Sequence, residues 1–131
     1  MIRTIVKRIK KNERGAAIIE FALVLPLLLV LVIGLIEFGW IFNGWIILTG
    51  AAREGARTAI TNQEEAIVIE MVDNHAADFP GGYSAEMDLS GERITVTVTG
   101  TLPSITGVYE NWFGSVPQIT AKAESKRYYK D

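Results

Sequence analysis

The residues best placed to do chemistry stand together near the N-terminus. Residues 10–26 read KKNERGAAIIEFALVLP: a basic patch, then Gly15, then four small or apolar residues, then a carboxylate at Glu20 where a long apolar run begins. An acid left unpaired in hydrocarbon costs about 3 kcal/mol on insertion scales, so one at this place needs water or a partner. By position alone Glu20 reads equally as an interfacial carboxylate and as one half of an ion pair. A second acid, Glu37, follows 17 residues later, roughly 25 Å further along a helix. It reads equally as an acid at the outer membrane interface and as a packing contact with another helix. Phe38, Trp40, Phe42 and Trp45 surround it, and such aromatic belts belong at headgroup level.

Elsewhere the residues able to do chemistry are isolated. His75 is the only histidine and the chain has no cysteine, so disulfides and thiolate metal sites are excluded and a zinc site would rest on carboxylates alone. His75 falls on an apolar stripe, where a packed and hydrogen-bonded side chain is expected rather than a ligand. Five serines lie at or after Ser84, none in a G-x-S-x-G turn or beside an evident base. Glu86, Asp88 and Glu92 read as a solvated strand face, and Trp112, Phe113, Tyr128 and Tyr129 as core or edge packing in preference to a partner surface. No acid, base and nucleophile come together, so the expectation is a protein that is not an enzyme, with no catalytic residue, no metal and no cofactor.

The charge distribution restricts partners. The net charge of −2 divides sharply: six basic residues against Glu13 give residues 1–15 a charge of +5, which leaves −7 for the rest. Nucleic-acid binding requires a basic face, and only the leader is basic, so no nucleic-acid partner is expected. The basic block is better read as the positive-inside signal that holds the N-terminus in the cytoplasm. Residues 21–48 contain only Glu37 and Asn43 as strongly polar interruptions. That run exceeds the roughly 20 residues that span a bilayer and is about twice the apolar region of an ordinary signal peptide. The membrane lipid is therefore the first partner, with a single span whose N-terminus is inside and C-terminal domain outside.

Three segments follow. Residues 1–15 form a basic leader, with Ile2, Ile5, Val6 and Ile9 available to a membrane-surface helix. Residues 16–60 read as one membrane-spanning and assembly helix, kinked or loosened near Pro26, which removes a backbone bond. Along its second half Ala51, Gly55 and Ala59 recur every four residues, a small face that permits close helix packing; the alternative is a flexible helical exit from the membrane. Residues 61–131 read as a small exported α+β domain. Thr61 and Asn62 with Glu64 and Glu65 resemble a capping box opening a second, amphipathic helix over residues 63–78, with Val68, Met71, Val72, Ala76 and Phe79 on one face. Residues 83–89 and 94–99 alternate as a hairpin, and residues 118–128 as a third strand. Residues 100–116 read as a loop with one helical turn. A three-stranded antiparallel sheet with one apolar face needs a cover, and the second helix is the candidate. Val68, Met71, Val72 and Phe79 are thus expected on Met87, Val96, Val98 and Ile119.

The segments EFALVLP at 20–26, GLIEFG at 34–39 and AAREGA at 51–56 occur in this order within residues 14–58. Together with Gly15, they resemble the TadE-like family of pilus assembly proteins, pilin-like pseudopilins of Flp-type adhesion pili. The resemblance implies cleavage by a prepilin peptidase between Gly15 and Ala16. Glu20 is then the fifth mature residue, placed to meet a neighbouring subunit's new N-terminal amine and so set register, with Phe21 the aromatic that follows it in the Flp-type branch. Glu37, Ala51, Gly55 and Ala59 become helix-packing positions. The implied partners are the peptidase, a TadF-like subunit, the Flp major pilin and an inner-membrane assembly platform, and the implied role is that of a minor subunit. The rival reading is an uncleaved, single-pass anchored protein whose outer domain binds a partner.

Overall fold

A computed structural model describes residues 2–127, with side chains over 13–127. Three helices, α1 (Ile2–Thr61), α2 (Glu65–Ala76) and α3 (Val108–Phe113), and three strands, β1 (Gly82–Asp88), β2 (Arg93–Thr101) and β3 (Gln118–Lys126), follow in the order α1 α2 β1 β2 α3 β3. This is the expected α+β fold: a long apolar N-terminal helix, a second helix and a small antiparallel sheet. By internal contacts the chain forms two compact units, Met1–Ile36 and Glu37–Asp131.

In the first unit α1 is helical from Ile2, rather than from Ala16, and continues through Pro26. Lys, Arg and Ile in the leader permit helix, and an internal Gly such as Gly15 costs only about 1 kcal/mol relative to Ala. From Ile18 to Ile36 the large apolar side chains other than the half-buried Ile33 are exposed, Leu23 and Leu27 above 70%. A helix over residues 13–61 is long and apolar enough to cross a membrane.

The second unit is built on the rest of α1. The sheet order is β1-β2-β3, both pairings antiparallel. In the central strand the alternation of Ile94, Val96 and Val98 with threonines becomes strict alternation of buried and more exposed positions, because neighbouring side chains of a strand point to opposite faces. Met87 and Ala123 pair with Val96, and Ala85 and Ala121 with Val98, which puts the apolar residues of all three strands on one face. The hairpin turns at Gly91, whose φ of 76° favours a residue without Cβ. Asp88 takes hydrogen bonds from Ser90 N and Oγ at 2.9 and 2.8 Å beside it.

Two helical segments cover that face, where one was expected. Val68 and Val72 of α2 do pack there with Phe79, Val96, Val98 and Ile119, and Met87 lies at the margin. Met71 does not join this cluster. Leu48, Ala51, Ala52, Ala56 and Ala59 of α1 supply the remainder of the layer, each 4% exposed or less. The second half of α1 is therefore part of this core.

The start of α2 also differs. Thr61 closes α1, its Oγ1 donating back to Thr58 O at 3.2 Å. The N-cap is Glu64, with no side-chain cap, and Asn62 Oδ1 accepts instead from Glu64 N at 3.1 Å. A threonine that ends one helix is not free to open the next.

Candidate functional site

Gly15, Ala16, Glu20 and Phe21 occupy successive turns of α1 in the first unit. Ala16, Glu20 and Phe21 are exposed and Gly15 is half-buried. A Cβ added at Gly15 would touch nothing within 4 Å, so packing does not require glycine here. On a helix Ala16 and Glu20 are four residues apart and share a face. Glu20 pairs with no described side chain, which leaves its carboxylate open to a group from another molecule.

Glu37 is the first residue of the second unit and is only 7% exposed. Its carboxylate meets the loop that follows β2. Its Oε2 accepts from Thr106 N at 3.2 Å and Thr106 Oγ1 at 2.8 Å, while Oε1 is buried without a hydrogen-bond partner. One turn along, Trp40 Nε1 donates to Pro103 O at 3.0 Å. The connection from β2 to α3 is thus held to α1 at two points. Gly107, with φ of 71°, turns the chain behind Thr106, and Ser104 Oγ accepts its N–H at 2.8 Å. Neither Thr106 nor Pro103 stood out in the sequence. The available signal was Glu37 itself, since a buried carboxylate requires donors.

The small face of α1 lies inside the second unit. Ala51 and Ala59 are fully buried. A Cβ at Gly55 would come within 2.6 Å of Val72 Cγ2 and 3.1 Å of Val96 Cγ1. At Gly55 α1 packs closely on both α2 and β2, and the Ala51, Gly55 and Ala59 spacing serves packing within this chain. It therefore does not by itself indicate a contact between subunits. Arg53 and Arg57 stay exposed on other faces.

His75 is exposed, and its Nδ1 lies 3.0 Å from Met71 O. It is hydrogen-bonded as expected but not packed, because the buried stripe of α2 runs through Val68, Val72 and Ala76. Glu86, Asp88 and Glu92 are exposed. Trp112 and Phe113, expected to pack, are 67% and 68% exposed; Tyr128 and Tyr129 lie outside the described residues. No three His, Asp or Glu side chains gather into a possible metal site among the described residues. On the sheet, Arg93 donates to Glu124 at 3.1 Å and Lys122 lies 3.5 Å from it. These contacts hold the Glu124 carboxyl below its ordinary value, Arg93 first and Lys122 second. Ser90 does the same for Asp88. Burial, aided by Asp73 as hydrogen-bond acceptor, pushes the Tyr83 phenol up.

Comparisons with curated proteins and with solved structures return no match. The model of one family, described as TadE-like protein, matches residues 15–57. The matched stretch begins at the glycine of the GAAIIE segment, takes in Glu20, Pro26 and Glu37, and ends beyond the Ala-Arg-Glu-Gly turn. It is under half of the chain, and over that length the resemblance to the TadE-like family read from the sequence is met.

Proposed function

We propose that the protein is a pilin-like minor subunit of a Tad system, contributing to assembly of a Flp-type adhesion pilus and not an enzyme. The observation carrying this is the TadE-like match starting at Gly15, joined to a basic leader and an apolar helix able to cross a membrane. The subunit is stored in the inner membrane with its N-terminus in the cytoplasm and the second unit outside. A prepilin peptidase cuts between Gly15 and Ala16. On assembly the helix moves from lipid into a bundle of neighbouring helices, where Glu20 neutralises the amine of an adjacent subunit. In a low-dielectric bundle such a pair sets register more than it adds stability. A TadF-like subunit, the Flp major pilin and the assembly platform are the partners this role requires.

N-terminal sequencing of the protein recovered from membranes tests the reading. A mature chain starting at Ala16, absent in Gly15→Leu, supports it. The rival, an uncleaved single-pass protein, draws on the continuity of α1 through Gly15 and Ala16, since a peptidase needs extended backbone at the bond it cuts. An intact Met1 in the wild type would establish that rival.

A further inference from the structure

Contacts within the second unit fix which end of the sheet lies nearest Glu37, the unit's first residue. Gly55 meets Val96, Leu48 lies against Gly100, and Gly44 lies against Leu102 and Ile119. Trp40 then holds Pro103 and Glu37 holds Thr106. As α1 is followed back toward its N-terminus, β2 is followed toward its C-terminus, and the sequence of contacts ends at the loop after Leu102. The Ser90–Gly91 turn lies at the other end of β2, roughly 25 Å away by strand rise. Exposed apolar side chains of α1 continue past Glu37, at Phe38, Phe42, Trp45 and Ile46.

That loop has an unusual surface. Ile105, Trp112, Phe113 and Val116 are exposed by 44–68%, and α3 has no buried residue. A six-residue helix is far too short to persist on its own propensity. The loop from Pro103 to Pro117 contains one charge, Glu110, and its carboxylate accepts from Ser104 N at 3.3 Å. The Tyr109 and Phe113 rings lie 4.9 Å apart, tilted by 37°. Aromatic side chains with hardly any charge, tied to α1 at Glu37 and Trp40 beside the exposed Phe38 and Phe42, match the chemistry of the headgroup region.

We propose that the β2 to β3 connection is a lipid-docking element, which seats Ile105, Trp112 and Phe113 in the outer interface of the bilayer and sets the second unit's height above the membrane. The inference rests on the membrane-anchored reading above. It differs from a protein-binding surface in that the occupant is the same lipid that covers the adjoining apolar stretch of α1.

The absence of cysteine makes single-cysteine labelling clean. Four full-length variants, Leu28→Cys, Ile105→Cys, Phe113→Cys and Ser90→Cys, each carrying a bimane label, are reconstituted in phosphatidylethanolamine/phosphatidylglycerol vesicles. Quenching is read with lipids bearing a nitroxide either near the headgroup or deep in the acyl chain, and with aqueous iodide. Labels at 105 and 113 are expected to be quenched by the headgroup nitroxide at least twofold more than the label at 90, and by iodide correspondingly less. Quenching at 28 by the deep nitroxide with 105 and 113 behaving like 90 overturns the docking proposal and leaves the membrane reading standing. No lipid quenching at 28 overturns both. Shielding of 105 and 113 from both quenchers that disappears on dilution in lipid would show a second protein copy as the occupant, and also overturns the proposal.

Discussion

Glu37 shows how one carboxylate can be asked to do something its position in the sequence does not announce. Its exposure of 7% and its two bonds to Thr106 make it the acceptor that holds a loop 69 residues away. Hydrogen bonds to charged groups contribute about 1.5–3 kcal/mol, and partial exposure of Thr106 argues for the lower end. Glu37→Leu should therefore destabilise the second unit by about 1.5 kcal/mol and increase proteolytic cleavage within residues 103–117. Glu37→Gln keeps an acceptor and should do neither to the same degree; equal cleavage in both variants would remove the anchoring role. Asp88 and Glu124 give a pH dependence of known sign. Their folded pKa values lie below the ordinary 3.8 and 4.5, so the stability they contribute is present above those values and is lost as pH falls through the folded ones. Acid melts should show this loss reduced in Glu124→Gln. Tyr83 acts oppositely: its raised pKa makes the contribution complete below pH 10 and lost as pH rises through the folded value. Tyr83→Phe should flatten the alkaline limb of the melt.

The helices and strands were unequally legible. Strict alternation from Ile94 to Thr99 identifies β2 and its buried face without ambiguity, because a one-residue slip would reverse every side chain. The α2 stripe at Val68, Val72 and Ala76 was legible for the same reason at helical period. The cover supplied by α1 was hidden, since Ala51, Gly55 and Ala59 present the same spacing whether the close neighbour is another subunit or the chain's own sheet. The cap was misread because Thr61 could serve α1 or α2, and nothing local decides between them. Trp112 and Phe113 were misread by the rule that large aromatic residues pack inside, which does not say which of them a fold leaves exposed. Gly55 allows a direct check. A Cβ there meets Val72 at 2.6 Å, whereas at Gly50 it meets nothing. Gly55→Ala should cost about 1–3 kcal/mol through overpacking, and Gly50→Ala should stabilise by up to about 1 kcal/mol through helix propensity. Denaturant midpoints of the two variants decide the matter, and a neutral Gly55→Ala would mean that α1 and α2 are less closely packed.

At the scale of the whole molecule, α1 belongs to two environments, and the boundary between them is not the boundary between helix and sheet domain. A chain divided at residue 60 would keep α2 and all three strands, yet lose Leu48, Ala51, Ala52, Ala56 and Ala59 from its core. Leu48 alone, fully buried, is worth about 1.5–3 kcal/mol in area removed from water, and its loss would also bare Gly100 and Phe79, which it touches or adjoins. A domain of this size has a stability of only about 5–15 kcal/mol, so removing a whole layer should exceed what it can spare. A fragment of residues 37–131 in mild detergent should therefore melt cooperatively, with strand and helix signals lost together. A fragment of residues 61–131 should show no cooperative transition and be digested at low protease concentration. If the shorter fragment melted at the same temperature as the longer one, the second half of α1 would be an accessory to the fold rather than part of its core, and its small residues would again be available to other subunits.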